Sequence, residues 1–156
     1  MTELNTGSIE SDLYLRVRSG LNANLVSGYI NGVYPAFPDS SSKDFPGYPV
    51  MVLRTSTDRN NLSFSGLHVY GVNIDLTCYG TSSQGVVEAI QKADNVLDDG
   101  QVSLGFQIVS NESSSIVDGF IGGNKVVHQK DLVIRGVTRQ WWVLKLLIMR
   151  IMDWIG

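Results

Sequence analysis

The sequence predicts an α+β fold: an antiparallel or mixed β-sheet with two helices packed on one face, followed by an apolar C-terminal helix. Three observations carry this prediction. Leucine and valine recur every fourth position between residues 9 and 25, which gives an α-helix one apolar stripe. Apolar and polar residues alternate from Leu67 to Tyr79, the period of a half-buried strand. A second helical stripe then precedes further alternating segments, an order that suits a sheet with helices on one side. At 156 residues the chain suits one domain, which we place at 1–139, with 140–156 as an apolar appendage.

In the first helix, 9–25, the stripe is Leu13, Val17, Leu21 and Leu25, with Arg16 and Arg18 off it. Ser8 or Ser11 can cap it, and Glu10 and Asp12 sit where carboxylates favour the positive end of the helix dipole. Residues 27–49 hold all four prolines of the chain. Proline fixes φ and removes a backbone donor, so neither a helix nor a central strand fits there. Within that stretch, 29–34 suits a short strand or turn around Asn31-Gly32, and 39–44 reads as an exposed loop tip. Val50-Met51-Val52-Leu53 begins the strands, and the polar run 54–61 reads as a hairpin connection or loop.

Along 67–79, Val72, Ile74, Leu76 and Cys78 share the face expected to point inward. Thr81-Ser82-Ser83 supplies a cap for a second helix at about 84–98, closed by Asp98-Asp99-Gly100. Residues 101–109 alternate and read as a strand. Segments 116–120 and 125–128 flank the turn signal Gly122-Gly123-Asn124, and Leu132–Val137 reads as the last strand.

Composition narrows the function. Apolar residues make up 43% of the chain and charged residues 17%, too apolar for disorder and light in charge for a free-standing surface. A formal charge of −3 argues against a sequence-independent nucleic-acid binder, which needs many phosphate-neutralising cations. One Cys and two His leave no internal disulfide, no thiolate-rich metal site and no mainly imidazole site. The opening Met1-Thr2-Glu3-Leu4-Asn5 has no basic stretch followed by an apolar one, so no secretory signal is expected.

Each candidate for chemistry gives way to a plainer reading. Gly119–Lys125 lacks the Gly-Lys-Ser/Thr order that brings amides, lysine and a metal-binding hydroxyl together, so it is a turn. His68 and His128 have no ligand or carboxylate at ligand spacing and suit surface or edge positions. Cys78 lies on the inward face of its strand, where a free thiol acts as a small hydrophobe. No Gly-x-Ser-x-Gly elbow occurs, and Asp98-Asp99 belongs to a helix end. No catalytic set and no cofactor is therefore expected.

Surface contact is the remaining theme. Arg54 and Arg59, with Lys43, fall in stretches read as loops and suit either solvated charge or a contact with an acidic partner. From Trp141 to Ile155, 12 of 15 positions are apolar. The run is too short and too interrupted by Lys145, Arg150 and Asp153 to span a bilayer. It suits the domain's own core, a subunit interface, or attachment to a membrane surface. We take the interface as the expectation, with Trp141, Trp142, Leu146, Met149 and Trp154 as its contact residues, and expect no membrane partner.

The order of segments resembles the tail terminator (tail completion) proteins of long-tailed bacteriophages. A leading helix runs into Val33-Tyr34-Pro35, and a loop ends in Phe45-Pro46 before the apolar Pro49-Val50-Met51-Val52. The strand Val72–Tyr79 and a Ser-started helix with Ser83, Val87, Ile90, Ala93, Val96 and Leu97 follow. The likeness covers about residues 9–138. Gly47-Tyr48 and the apolar run after Arg139 depart from the family pattern. The resemblance implies a non-enzymatic virion protein of the tail or neck, assembled in the host cytoplasm. Such proteins form a ring, usually of six copies, on the last ring of tail tube protein, stop polymerisation there and meet the head-completion proteins. DNA would pass the lumen without specific binding, as like charge favours. Another neck or connector protein, and less readily a small ligand-binding or enzymatic domain, are the alternatives.

Overall fold

A computed structural model describes residues 9–39, 42–64, 67–122, 125–138 and 151–155, with side chains placed except at 59–69 and 118–125. Helix α1 (Ile9–Leu25) leads through a turn to the short β1 (Val33–Tyr34). Strands β2 (Val50–Phe64) and β3 (Leu67–Gly80) form a long hairpin. Helix α2 (Ser83–Asp99) and the single turn α3 (Gln101–Leu104) follow, then β4 (Phe106–Ser113), β5 (Val117–Gly122) and β6 (Lys125–Thr138). The six strands make one mixed sheet in the order β1-β2-β3-β6-β4, with β5 also paired to β6. Only the β1–β2 pairing is parallel among them. The predicted α+β class, with both main helices on one sheet face, is the class observed.

The core lies between that face and the helices. Leu13, Val17, Leu21 and Leu25 are fully buried on α1, and Val86, Ala89, Ile90, Ala93 and Leu97 form the α2 stripe. Both stripes meet Met51, Leu53, Val72, Ile74, Leu76, Cys78, Phe106, Leu132 and Ile134 in one cluster. Sheet register explains the shared face: Met51 stands opposite Cys78 and Leu53 opposite Leu76, while Ile74 is opposite Ile134 and Leu76 opposite Leu132. Helix ends follow ordinary capping. Ser82 Oγ accepts from the Gly85 N–H at 3.3 Å, and the Leu25 carbonyl accepts from the N–H groups of Gly28, Tyr29 and Ile30, satisfying groups the helix leaves orphaned.

Three elements differ from those the sequence predicts. The polar run 54–61 is not a connection; it continues β2 and pairs with β3 from Arg54↔Asp75 to Asn60↔Val69. Thr55 and Thr57 are half-buried over the core while Arg54, Ser56 and Asp58 are exposed, so the strand is polar because its second face is wet. Residues 101–104 are helical, not extended. Gly105 at φ 86° ends that turn, and Gln101 Nε2 donates to the Asp98 carbonyl at 2.9 Å. Finally, 125–128 and 132–137 are one strand, β6, whose outer edge is shared by β4 and then β5. The step between those two lies at Ser114, whose N–H donates to the Asp131 carbonyl at 2.9 Å.

The expected C-terminal helix falls largely outside the described residues. Its final turn, 151–155, is helical, with Trp154 93% and Ile155 82% exposed. Among the described residues no helix is long and apolar enough to cross a membrane.

Candidate interaction surface

Among the described residues, no second helical layer covers the sheet face opposite the helices. Alternation that buries Met51, Leu53, Ile74 and Leu76 turns Val52, Arg54, Ser56 and Asp58 of β2 to the other side. Register adds Asn73, Asp75, Thr77 and Tyr79 from β3 and Gln129, Asp131, Val133 and Arg135 from β6. From β4, Glu112 stands opposite Val133. The face thus carries four carboxylates (Asp58, Asp75, Glu112, Asp131) against two guanidinium groups (Arg54, Arg135). Its side chains brace one another across strands. Asn73 Nδ2 donates to Asp58 Oδ2 at 2.9 Å and to Ser56 Oγ at 3.2 Å, and Arg135 Nη1 lies 3.6 Å from Asp75 Oδ1. Exposed at about half their surface, the last two contribute little to stability.

A shallow hollow of about 300 Å³ sits on this face between Val52, Arg54, Asp75, Thr77, Tyr79, Gln129, Asp131 and Val133. Its wall is Tyr79, whose phenol titrates above its usual range because burial penalises the phenolate and the Asp131 charge adds to this, against the opposing pull of Arg54. The proline loop packs against Tyr79. Phe37 meets the Tyr79 ring edge-on with centroids 4.7 Å apart, and beside it Phe45 and Tyr48 also meet edge-on, with centroids 5.1 Å apart.

Asn31 holds that loop in place. Its Nδ2 donates to the carbonyls of Gly47 (2.8 Å), Tyr48 (3.1 Å) and Pro46 (3.4 Å). Its own N–H donates to the Pro49 carbonyl at 2.8 Å. Gly47 takes φ 89°, a conformation that glycine adopts without a Cβ penalty. The Tyr48–Pro49 peptide is cis. The sequence suggests a short strand or turn around Asn31-Gly32 and gives Asn31 no further role; the signal for a clamp is an amide side chain facing a loop with few backbone donors of its own.

Of the candidate contact residues, Arg54 lies on the open face, directly opposite Asp75. Arg59 is further along β2, opposite Tyr70, where side chains are not described. Both are strand residues, not loop residues. Trp141, Trp142, Leu146 and Met149 lie outside the described residues, and Trp154 is exposed. Of the seven, only Arg54 and Trp154 have side chains among those the structure describes. His128 is a half-buried strand residue opposite Gly80. Cys78 is fully buried, and burial pushes its thiol up to about 12, the reverse of what a nucleophilic thiolate needs. Among the described residues no group of three or more His, Cys, Asp or Glu is placed to hold a metal ion.

A layered α+β fold with one face sealed by helices, and with the other mainly polar and open among the described residues, is a scaffold suited to contact over an area. Comparison with known proteins agrees at the level of fold. No family model matches the chain, and no curated protein matches its sequence. Among solved structures, a chain of the virion of a native gene transfer agent particle is similar, with a TM-score of 0.51 and 16% identity. The match covers 86% of this chain and 96% of that one. At that identity the likeness is one of fold.

Proposed function

We propose that this chain is a structural virion protein. In our reading it caps the tail tube as a ring, ends tube polymerisation and joins the tail to the head-completion proteins. The observation that carries the reading is the fold held in common with a chain of a virion particle along nearly the whole of that chain. The order of segments, which resembles tail terminators, supports the finer role. A ring needs a heterologous contact that closes on itself, where an open repeat would grow into a filament. A subunit with formal charge −3 and carboxylates in excess on its open face suits a passage through which DNA moves without sticking, since like charges lower phosphate affinity. The role is structural, with no enzymatic step and no cofactor, and the place of action is the virion neck.

Deletion of the gene tests the role directly. Tails of uncontrolled length are expected, and tails of normal length would overturn it. High-resolution imaging of the particle separates a terminator, present in one ring, from a tube protein, which repeats along the tail. A hexameric native mass in detergent-free buffer supports the ring.

A further inference from the structure

Among the described residues, both outer edges of the sheet are closed by the chain itself over part of their length and bare over the rest. On β2, β1 covers Met51 and Val52. Further along, the Glu10 carboxylate accepts the Thr57 N–H at 3.0 Å and the Thr57 hydroxyl at 3.3 Å. On β4, Gln101 Oε1 accepts the Ile108 N–H at 2.7 Å, and Val109 is the extra residue of a bulge between Ile108 and Ser110. Such devices normally protect a sheet edge from pairing with another chain. Between them two stretches of equal length, Leu53–Ser56 and Ser110–Ser113, have a paired strand on one side only among the described residues.

The two stretches also match in hydrogen-bond phase. The N–H groups of Met51 and Thr57 point away from β3, toward the Gly32 carbonyl and Glu10. Alternation therefore turns the N–H and C=O of Leu53 and Thr55 outward as well. On the other edge the Ser114 N–H points inward to Asp131, so Asn111 and Ser113 face outward. Strands β2 and β4 run in opposite directions, counted through β3 and β6. A neighbouring copy with its open face on the same side thus sets its β2 antiparallel to this β4.

We propose that Leu53–Ser56 of one copy pairs with Ser110–Ser113 of the next, with Leu53 opposite Ser113 and Thr55 opposite Asn111. In this register outward-facing backbone groups meet one another, and the open faces of the two sheets are continuous. Arg54 stands opposite Glu112 on that face, an opposite-charge cross-strand pair, and Ser56 stands opposite Ser110. Each copy uses two different edges, so the contact is heterologous and propagates around a ring. It rests on the ring reading above and supplies the subunit contact that the ring requires.

The full-length chain carrying both Ser56→Cys and Ser110→Cys tests the register. These positions form a non-hydrogen-bonded pair, with Cα atoms about 4.5 Å apart, within disulfide reach. Inside one copy three strand spacings, about 14 Å, keep them from joining. Mild oxidation is expected to give a covalent ladder from the double variant and only dimers from a mixture of the two single variants. Buried Cys78 does not compete. Independently, Arg54→Glu or Glu112→Arg is expected to weaken self-association about fivefold per contact, and the two together to restore it. A wild-type oligomer with no cross-link and no response to the charge swap overturns the edge contact while leaving the ring intact. A wild-type chain that forms no oligomer, free or on tail tubes, and whose double variant gives no cross-link overturns both.

Discussion

Replacing Asn31 probes the attachment of the aromatic loop to the open face. Its Nδ2 has two hydrogens and reaches three carbonyls, two at 2.8 and 3.1 Å and one at 3.4 Å, so two ordinary hydrogen bonds are at stake. A typical intramolecular hydrogen bond contributes about 0.5–1.5 kcal/mol net. The atoms here are exposed, so the carbonyls rehydrate when the donor is removed. Asn31→Ala should therefore cost about 1–2 kcal/mol, a fall of about 2–8 °C in Tm for a chain of this size. Asn31→Asp has nearly the same shape but offers only acceptors when ionised. Its carboxylate would face three carbonyl oxygens, and it should be less stable than the alanine variant at pH 7. Those oxygens also raise the new carboxyl's pKa above its unfolded value of about 3.9. The protonated form can donate, so the aspartate variant should recover relative to the alanine variant as pH falls toward 4. Thermal melts of the three proteins at pH 7 and pH 4.5, with near-ultraviolet circular dichroism of the loop tyrosines, measure both effects. An aspartate variant as stable as wild type at pH 7, with an unchanged tyrosine signal, refutes the clamp.

Other outcomes follow from the packing. A Cβ at Gly136 would lie 2.4 Å from the Gln107 carbonyl oxygen, so Gly136→Ala should force β4 away from β6 at the bulge. The expected cost is about 1–3 kcal/mol, read by urea unfolding and by faster amide exchange at Phe106–Ile108. Cys78 holds its proton to about 12 when folded, against 9.0 for the ordinary thiol. A raised folded pKa gives stability that is full below the unfolded value and is lost as pH rises through the folded one. Between pH 9 and 12 wild type should thus lose about 1.4 kcal/mol per pH unit more than Cys78→Ala, compared by urea midpoints at pH 8 and 10.5. Ending the chain after Arg139 should leave the sheet and helices folded, with an unchanged circular dichroism spectrum and weaker self-association by native mass. Unfolding of that truncation would place 140–156 in the core instead.

The parts of the fold legible in the sequence are those where one period dominates. The stripe Leu13, Val17, Leu21, Leu25 and the inward set Val72, Ile74, Leu76, Cys78 are pure patterns, and each is buried as expected. The polar half of β2 was not legible, because Arg54, Ser56 and Asp58 face water and the core-facing Thr55 and Thr57 are themselves polar. Only pairing with β3, a tertiary contact, makes that run a strand. Gln101–Leu104 fits strand alternation as well as it fits one helical turn, and the left-handed Gly105 decides between them. The open face was foreshadowed by the polar set Asn73, Asp75, Thr77, Tyr79, but its partners Asp131 and Arg135 come from a strand some 60 residues away. Asn31 could not be recognised as a clamp without knowing that residues 46–48 fold back upon it.

The strand order carries a consequence for biosynthesis. β6 lies between β3 on one side and β4 and β5 on the other, yet it follows all of them in sequence. While the chain is being made, the β2–β3 hairpin and both main helices precede the strand that fills the middle of the sheet. Until β6 arrives, β3 presents an unpaired edge beside core-facing Ile74 and Leu76, a template for wrong partners. Closure joins segments such as Ile74 and Ile134 that are far apart along the chain, a slow kind of contact to form. β4, which supplies one of the two proposed contact edges, is anchored to the sheet only through β6. The proposed contact edge on β4 is therefore fixed in the sheet only once the central strand has been laid down.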